Sequence, residues 1–154
     1  MAITQAMCTS FKAELLQGAH DFRASGGDTF KLALYTSAAS IDANTLAYTT
    51  SNEVSSSGTN YTAGGGTLTR TGVTSTNTSA SAGVGYTDFS DVTFSAVSLT
   101  ARGALIYNNT PAGSANVNAA VAVLDFGADK TATDGDFTVI FPAYDSTSAI
   151  IRIA

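Results

Sequence analysis

The chain has 154 residues, of which 44% are hydrophobic and only 12% are charged, with a formal net charge of −5 and a pI near 4.4. This balance argues against a protein that holds nucleic acid by its phosphates, because such binding needs a stripe of Lys and Arg and the seven basic residues here are scattered. The length fits a single domain, residues 1–154, with a surface of Ser, Thr, Asn and Gly.

No segment reaches the roughly 18–20 consecutive apolar residues of a membrane span, so we expect no membrane partner. The N-terminal stretch "MAITQAMCTSFK" lacks the basic leader and the apolar run of a secretory signal, and we expect a protein made in the cytoplasm. The single cysteine, Cys8, cannot form an intramolecular disulfide. We expect it to be a buried free thiol.

The N-terminal residues carry apolar side chains at helical spacing. They recur every three or four positions, with Leu16 widening the stripe: Ile3, Met7, Phe11, Leu15, Ala19 and Phe22. This spacing predicts an amphipathic helix over residues 1–25 that ends at the paired glycines of "SGGD". We expect the apolar face to pack on the protein's own sheet, and the alternative is docking to a partner surface.

From residue 28 onward, apolar residues alternate with polar ones, as in strands that cover a core with one face. The first such run is "TFKLALY", and similar runs follow at 67–73, 91–97, 101–107, 117–126, 136–141 and 148–153. Short strands separated by turn residues, with no second helical pattern, predict a mainly β fold. We expect an antiparallel β-sandwich or jelly-roll-like barrel over residues 28–154, preceded by the N-terminal amphipathic helix.

The connections between these runs contain residues typical of turns. Asp-Gly in "TDGD" at 133–136 predicts a hairpin, and "NNTPAGS" at 108–114 predicts an exposed loop. The segment from Ser37 to Gly66 is rich in Thr, Ser and Gly and is long for a connection. It is either a functional loop or a pair of irregular edge strands.

Residue types that support catalysis are few. His20 has no second His or Cys with which to form a metal site, and we expect it to be a solvated side chain at a helix end. Glycoside hydrolysis needs two carboxylates, but Asp88 with Asp91 and Asp134 with Asp136 lie where Asp commonly forms turns. We therefore expect a non-enzymatic protein with no catalytic residue, metal or cofactor, and a surface calcium ion at either pair is the alternative.

Three tyrosines lie in the polar segments, and exposed aromatic side chains there are typical of carbohydrate-binding or protein-binding patches. The alternative is that they are ordinary strand residues. We expect a partner interface to draw on the helix stripe and these tyrosines, at Met7, Phe11, Leu15, Phe22, Tyr48, Tyr61 and Tyr86. The apolar C-terminal stretch "AIIRIA" is a further candidate surface.

The stretches "FKAELLQGAHDF", "DTFKLALYTSAA", "AYTTSNEVSSSGTNYTAGGGTLT", "TARGALIYN", "AVLDFGADK" and "FPAYDSTSAIIRIA" together resemble a family of small virion proteins of tailed bacteriophages. The resemblance covers nearly the whole chain and implies a capsid decoration or cement protein located on the virion. A head-fibre or tail and neck component, or a glycan-binding or receptor-binding module, is the alternative. The implied partner is the major capsid protein or another virion protein, bound by a symmetric homo-oligomer such as a trimer.

Overall fold

A computed structural model describes residues 2–76, 83–113 and 115–154. The chain is mainly β, with antiparallel sheets and one short N-terminal helix in these ranges, which confirms the predicted fold class. No helix among the described residues is long and apolar enough to cross a membrane. The elements in chain order are β1 (Ala6–Met7), α1 (Thr9–Leu16), β2 (Phe30–Tyr35), β3 (Gly66–Leu68), β4 (Arg70–Ser75), β5 (Gly85–Phe89), β6 (Val92–Asn108), β7 (Ala119–Val139) and β8 (Ile151–Ile153).

The described strands form two sheets. The larger sheet has the order β1-β7-β6-β2-β3, and the smaller sheet has the order β4-β5-β8. Strands β6 and β7 form a long hairpin, which is paired from Val92 opposite Val139 to Asn108 opposite Ala119. Every residue of β6 from Gly103 onward is buried. The hairpin therefore forms the centre of the larger sheet. Strand β2 pairs with the part of β6 closest to the β6–β7 loop, from Gly103 to Asn108.

Two pairs of predicted strands are continuous in the structure. Strand β6 includes both 91–97 and 101–107 almost completely, and β7 includes most of both 117–126 and 136–141. The register between β6 and β7 shifts at four points, of which the shift between Val97 and Leu99 lies at the predicted break in β6, and pairing resumes after each shift. The division into separate strands is wrong because small and polar residues at a bulge interrupt the alternation without ending the strand.

The segment "TDGD" at 133–136 forms one of these bulges, so the hairpin turn predicted there is wrong. Gly135 pairs with Val97 of β6, well inside the ladder. Asp134 has a φ of 46°, and its carboxylate accepts a hydrogen bond from the Ser98 hydroxyl at 2.8 Å. Asp and Gly adopt left-handed backbone readily, and a bulge requires that conformation as much as a tight turn does.

Helix α1 spans Thr9–Leu16, and the predicted helix over 1–25 is wrong outside this range. The chain leaves the helix at Gly18, which has a φ of 70°. The amide of Ala19 donates to the carbonyl of Glu14 at 3.0 Å, which is the bond expected of a Schellman motif. The stop signal is therefore this single glycine rather than the later "SGGD".

The other members of the apolar stripe reach the core from irregular segments or from β1. Ile3, Ala19 and Phe22 are buried outside the helix, and Met7 belongs to β1. An irregular segment that returns to the core also places an apolar residue every few positions. Periodicity alone therefore predicts too long a helix here.

A cluster of aromatic rings joins the two sheets. Phe22 stacks on Phe30 of β2 with ring centroids 4.3 Å apart, and Phe30 lies 5.5 Å from Phe89 of β5. Phe89 in turn lies 5.7 Å from Phe141, and Phe11 packs edge-on against Phe22 at 6.0 Å. All five rings are buried. This apolar contact between the sheets stabilises a sandwich-like arrangement.

The segment 37–66 is an irregular loop that packs on the larger sheet. Among the described residues it pairs through isolated bridges at Ala47 and Glu53, and regular strand structure begins only at Gly66. Of the two interpretations from the sequence, the structure shows a loop. Four of its apolar side chains are buried and contribute to the core: Ala39, Ile41, Val54 and Tyr61.

Candidate functional site

The predicted interface residues of the N-terminal segment lie in or against the core. Phe11 is fully buried and Phe22 is 5% exposed. The prediction of partner contact is wrong for these two residues, because folding removes their rings from the surface. Met7 and Leu15 are half-buried and pack against the same core, and for them partner contact stays a prediction.

Tyr48 and Tyr61 bind the same carboxylate. The Tyr48 hydroxyl donates to Glu53 Oε2 at 2.6 Å, and the Tyr61 hydroxyl donates to Glu53 Oε1 at 2.8 Å. Oε1 also accepts the backbone amide of Gly64 at 2.7 Å, and the Tyr61 hydroxyl accepts the amide of Leu34 at 3.0 Å. Burial raises the pKa of both tyrosines, so they remain protonated donors. These five residues, the Glu53 cluster, hold the long loop against β2.

The tyrosines do not form an open patch. Tyr61 is 3% exposed, so the interface prediction is wrong at this residue because its ring is buried. Tyr48 is half-buried and stacks on Tyr107 at 4.8 Å, while Tyr86 of β5 lies 5.2 Å from Tyr144. These contacts favour a structural role for all three tyrosines, although only Tyr86 is the strand residue that the alternative predicted and the other two lie in the long loop. Partner contact at Tyr48 and Tyr86 stays a prediction.

The four carboxylates considered as catalytic pairs shape the backbone. Asp88, Asp91 and Asp136 each accept a backbone amide, at 2.8, 2.8 and 3.1 Å. Asp134 accepts the hydroxyl already described in the β7 bulge. Burial raises the pKa of Asp88, which favours its protonated form relative to an exposed Asp. In residues 2–76, 83–113 and 115–154, no three His, Cys, Asp or Glu side chains lie close enough to hold a metal ion.

His20 is buried in a polar cluster, so the prediction of a solvated side chain is wrong. Its ring Nε2 lies 2.9 Å from Glu14 Oε2, and its Nδ1 lies 3.0 Å from the side-chain nitrogen of Asn108. The side-chain nitrogen of Asn108 also donates to Asp28 Oδ2 at 2.7 Å. Glu14, His20, Asp28 and Asn108 are named the His20 cluster below. No sequence pattern connects Asn108 with a histidine 88 residues away, which is why the cluster was not predicted.

An apolar cleft of about 420 Å³ opens beside the His20 cluster, between the N-terminal segment and the smaller sheet. Val73 and Ile153 line it and are 61% and 59% exposed. Arg23 and Asp21 also line it, and they are paired with one another at 2.8 Å. The C-terminal stretch considered as a contact surface thus contributes Ile153, whereas Ile151 is buried.

Three further exposed apolar side chains were not predicted from the sequence. Leu16 and Val117 are 91% and 82% exposed, the highest values for large apolar side chains among the described residues. Their segments are joined, since the amide of Asn116 donates to Glu14 Oε1 at 3.1 Å. Leu46 is 57% exposed, and its carbonyl accepts an amide of β7 at 3.0 Å. Leu16, Leu46 and Val117 are named the exposed apolar set. Leu16 was predicted to be part of the apolar face that packs on the sheet. This prediction is wrong because periodicity does not show which side of a short helix faces water.

Cys8 is a buried free thiol, as predicted. Burial is the main cause that raises its pKa to about 11, and the nearby carboxylates of Asp42 and Glu14 add to this effect. The thiolate, which is the reactive form, is therefore scarce at neutral pH.

We expect native protein at pH 8 to resist alkylation by iodoacetamide, because the raised pKa of Cys8 leaves little thiolate there and its side chain is fully buried. In denaturant the same reagent should label every chain once. Intact-mass spectrometry over several hours measures both reactions. Stoichiometric labelling of the native protein within minutes would show that Cys8 is accessible.

Comparisons with known proteins add no relative to this description, since no family model, curated protein or solved structure matches the chain. The candidate sites therefore rest on geometry. The Glu53 and His20 clusters hold the loops to the sheet, and their polar groups bond within the protein. Apolar side chains open to solvent lie in the exposed apolar set and the apolar cleft, and also at Ile140, which follows β7.

Proposed function

We propose that the chain is a non-enzymatic structural protein of a tailed-bacteriophage virion, a capsid decoration protein that binds the outer capsid lattice and stabilises it. The resemblance of the sequence to small phage virion proteins suggests the role. The observation that supports a docking role in this fold is the exposed apolar set, Leu16, Leu46 and Val117. Apolar side chains that leave water on docking favour association without any charged contact.

The placement of the polar side chains also supports a structural role. The carboxylates that a hydrolase would need accept backbone amides or a hydroxyl within the fold, at Asp88, Asp91, Asp134 and Asp136. His20 is surrounded by hydrogen-bond partners and has no exposed side-chain surface. These groups therefore contribute to stabilising bulges, turns and loops of the fold.

The proposed partner is the major capsid protein, or another virion protein, and the chain is proposed to act as a symmetric homo-oligomer such as a trimer. A capsid lattice presents the same surface many times, and an oligomer can contact several copies at once. Each contact can then be small, because linked contacts multiply their effect on the overall affinity. Three exposed apolar side chains per copy suit this kind of binding.

The Leu16→Ser/Val117→Ser double variant should lose at least about tenfold in affinity for particles of the source phage that lack the chain. Both side chains are exposed, so the fold should remain intact. Ile140→Ser is the matched control, since Ile140 is 76% exposed but follows β7 at the opposite end of the hairpin. Co-sedimentation of purified protein with the particles measures the affinity.

Equal binding by the double variant and the wild type would exclude the exposed apolar set as the contact surface. Failure of the wild-type protein to bind the particles at any concentration would instead count against the decoration role itself. A loss caused by Ile140→Ser alone would move the contact to the other end of the hairpin.

A further inference from the structure

The His20 cluster connects three separate segments at one buried point. Glu14 belongs to α1, His20 follows the helix, and Asn108 ends β6. Glu14 Oε1 also accepts both the backbone amide and the side-chain amide of Asn116, at 3.1 and 3.0 Å. Glu14, His20 and Asn108 are 6%, 7% and 0% exposed, so water cannot readily replace a bond that is lost among them.

The hydrogen-bond partners determine where the protons of the cluster lie. The Asn108 side-chain oxygen accepts the amide of Thr110 at 2.9 Å, so the other end of this side chain is its amino group. One amino proton points to Asp28 Oδ2 at 2.7 Å and the other to His20 Nδ1 at 3.0 Å. Nδ1 is therefore the unprotonated nitrogen, and Nε2 carries the proton that is donated to Glu14 at 2.9 Å.

A second proton on the His20 ring has no acceptor in this arrangement. At Nδ1 it would face an amino proton of Asn108, so two donors would oppose each other. Rotation of the amide by 180° would place its oxygen against the Asp28 carboxylate and its amino group against the Thr110 amide. One repulsion would then be replaced by two. Protonation of the ring therefore breaks the cluster at Asn108.

The charged groups around the ring do not remove this conflict. The Glu14 carboxylate favours a positive ring, but it contacts Nε2, which already carries a proton. Asp21 and Arg23 line the cleft beside the cluster and are paired with one another, with Arg23 Nε 2.8 Å from Asp21 Oδ2. The Arg70 guanidinium donates to the backbone carbonyls of Arg23 and Asp28 on the adjacent segment. None of these described groups can accept a proton from Nδ1 in its present position.

We propose that the His20 cluster is an acid-sensitive latch, in which protonation of His20 at Nδ1 releases the β6–β7 loop near Ala112 from the segment that follows α1. The loop is held there by the Ala112 amide, which donates to the carbonyl of Ala19 at 3.0 Å. Acidification is the trigger, because it supplies the second proton of the imidazole ring. We expect only this loop to open. Asn108 is the single residue of the paired strands β6 and β7 that belongs to the cluster, so the rest of the ladder does not depend on His20.

Nuclear magnetic resonance tests the latch directly, because the chain has one histidine and hence one set of imidazole signals. At pH 7.5 we expect the tautomer with the proton on Nε2. Between pH 7.5 and 5.0 we expect the hydrogen-exchange protection factor of the Ala112 amide to fall at least about tenfold. The amide of Leu105, a residue of β6 that pairs with both β2 and β7, should keep its protection over the same range.

The control variant is His20→Gln. Its side-chain amide keeps an N–H donor toward Glu14, and it does not become protonated when the pH falls. Its Ala112 protection factor should not change between the two pH values. A proton on Nδ1 at pH 7.5, constant Ala112 protection in the wild type, or an equal loss in His20→Gln would each overturn the latch. If the variant does not fold, the tautomer and the wild-type protection factors decide the question.

Discussion

Gly65→Ala is expected to lower the free energy of unfolding by more than about 4 kcal/mol, which is a large part of the stability of a typical domain. A Cβ at this position would lie 1.8 Å from the carbonyl oxygen of Leu32 and 2.5 Å from its carbon. Both atoms belong to the backbone of β2, which is paired on both sides and cannot move aside. The φ of 75° at Gly65 adds a conformational cost of about 1 kcal/mol.

Gly58→Ala separates the steric effect from the conformational one. Gly58 has a φ of 72°, and no described atom lies within 4 Å of the position its Cβ would take. We expect this variant to lose only about 1–2 kcal/mol. Urea unfolding followed by circular dichroism measures both variants on the same scale. Losses for the two variants that agree within error would show that the long loop does not approach β2 at Gly65.

Glu53→Ala is expected to lower the free energy of unfolding by roughly 3–5 kcal/mol, because three donors lose their acceptor and an unsatisfied buried donor costs about 1–3 kcal/mol. The donors are the hydroxyls of Tyr48 and Tyr61 and the amide of Gly64. The long loop would keep its apolar contacts and its other hydrogen bonds to β2, such as that from the Val54 amide to the Leu34 carbonyl at 2.9 Å. Urea unfolding measures the loss, and near-ultraviolet circular dichroism reports the tyrosine environment.

Asp42→Ala is the matched control in the same loop. The Asp42 carboxylate accepts the exposed amide of Asn44 at 2.7 Å, and water can replace this bond, so we expect a loss of about 1 kcal/mol or less. Tyr48→Phe should fall between the two variants, since it removes one hydroxyl and leaves the acceptor of Tyr61 in place. Similar losses for Glu53→Ala and Asp42→Ala would contradict the role given to the Glu53 cluster.

The fold class could be predicted because alternation of apolar residues reflects the geometry of any strand with one face on a core. The run "TFKLALY" contains the whole of β2 (Phe30–Tyr35). Strand β5, with the sequence "GYTDF", was not predicted because its buried residues include Thr87 and Asp88. Polar residues of these types are usually exposed to solvent, so the run lacks the apolar alternation of a strand. The end of α1 was misplaced because a single glycine, Gly18, forms the cap.

The Glu53 and His20 clusters could not be predicted because they join residues that are distant in sequence. Tyr61 meets Leu34 across 27 residues, and His20 meets Asn108 across 88. A Thr- and Ser-rich segment with scattered tyrosines has the composition of a solvent-exposed loop, although Tyr61 is buried. Exposure at Leu16 likewise depends on how the short helix packs, and its hydrophobicity alone predicts a core residue.

The proposed role on a virion is tested most directly by the copy number of the chain in gradient-purified particles from its source, measured by quantitative mass spectrometry against the major capsid protein. A lattice-wide decoration role predicts a copy number equal to that of the capsid protein or a simple fraction of it. A few to a few dozen copies would instead assign the chain to a neck, tail or fibre position. Absence of the chain from purified particles would contradict a structural role on the virion altogether.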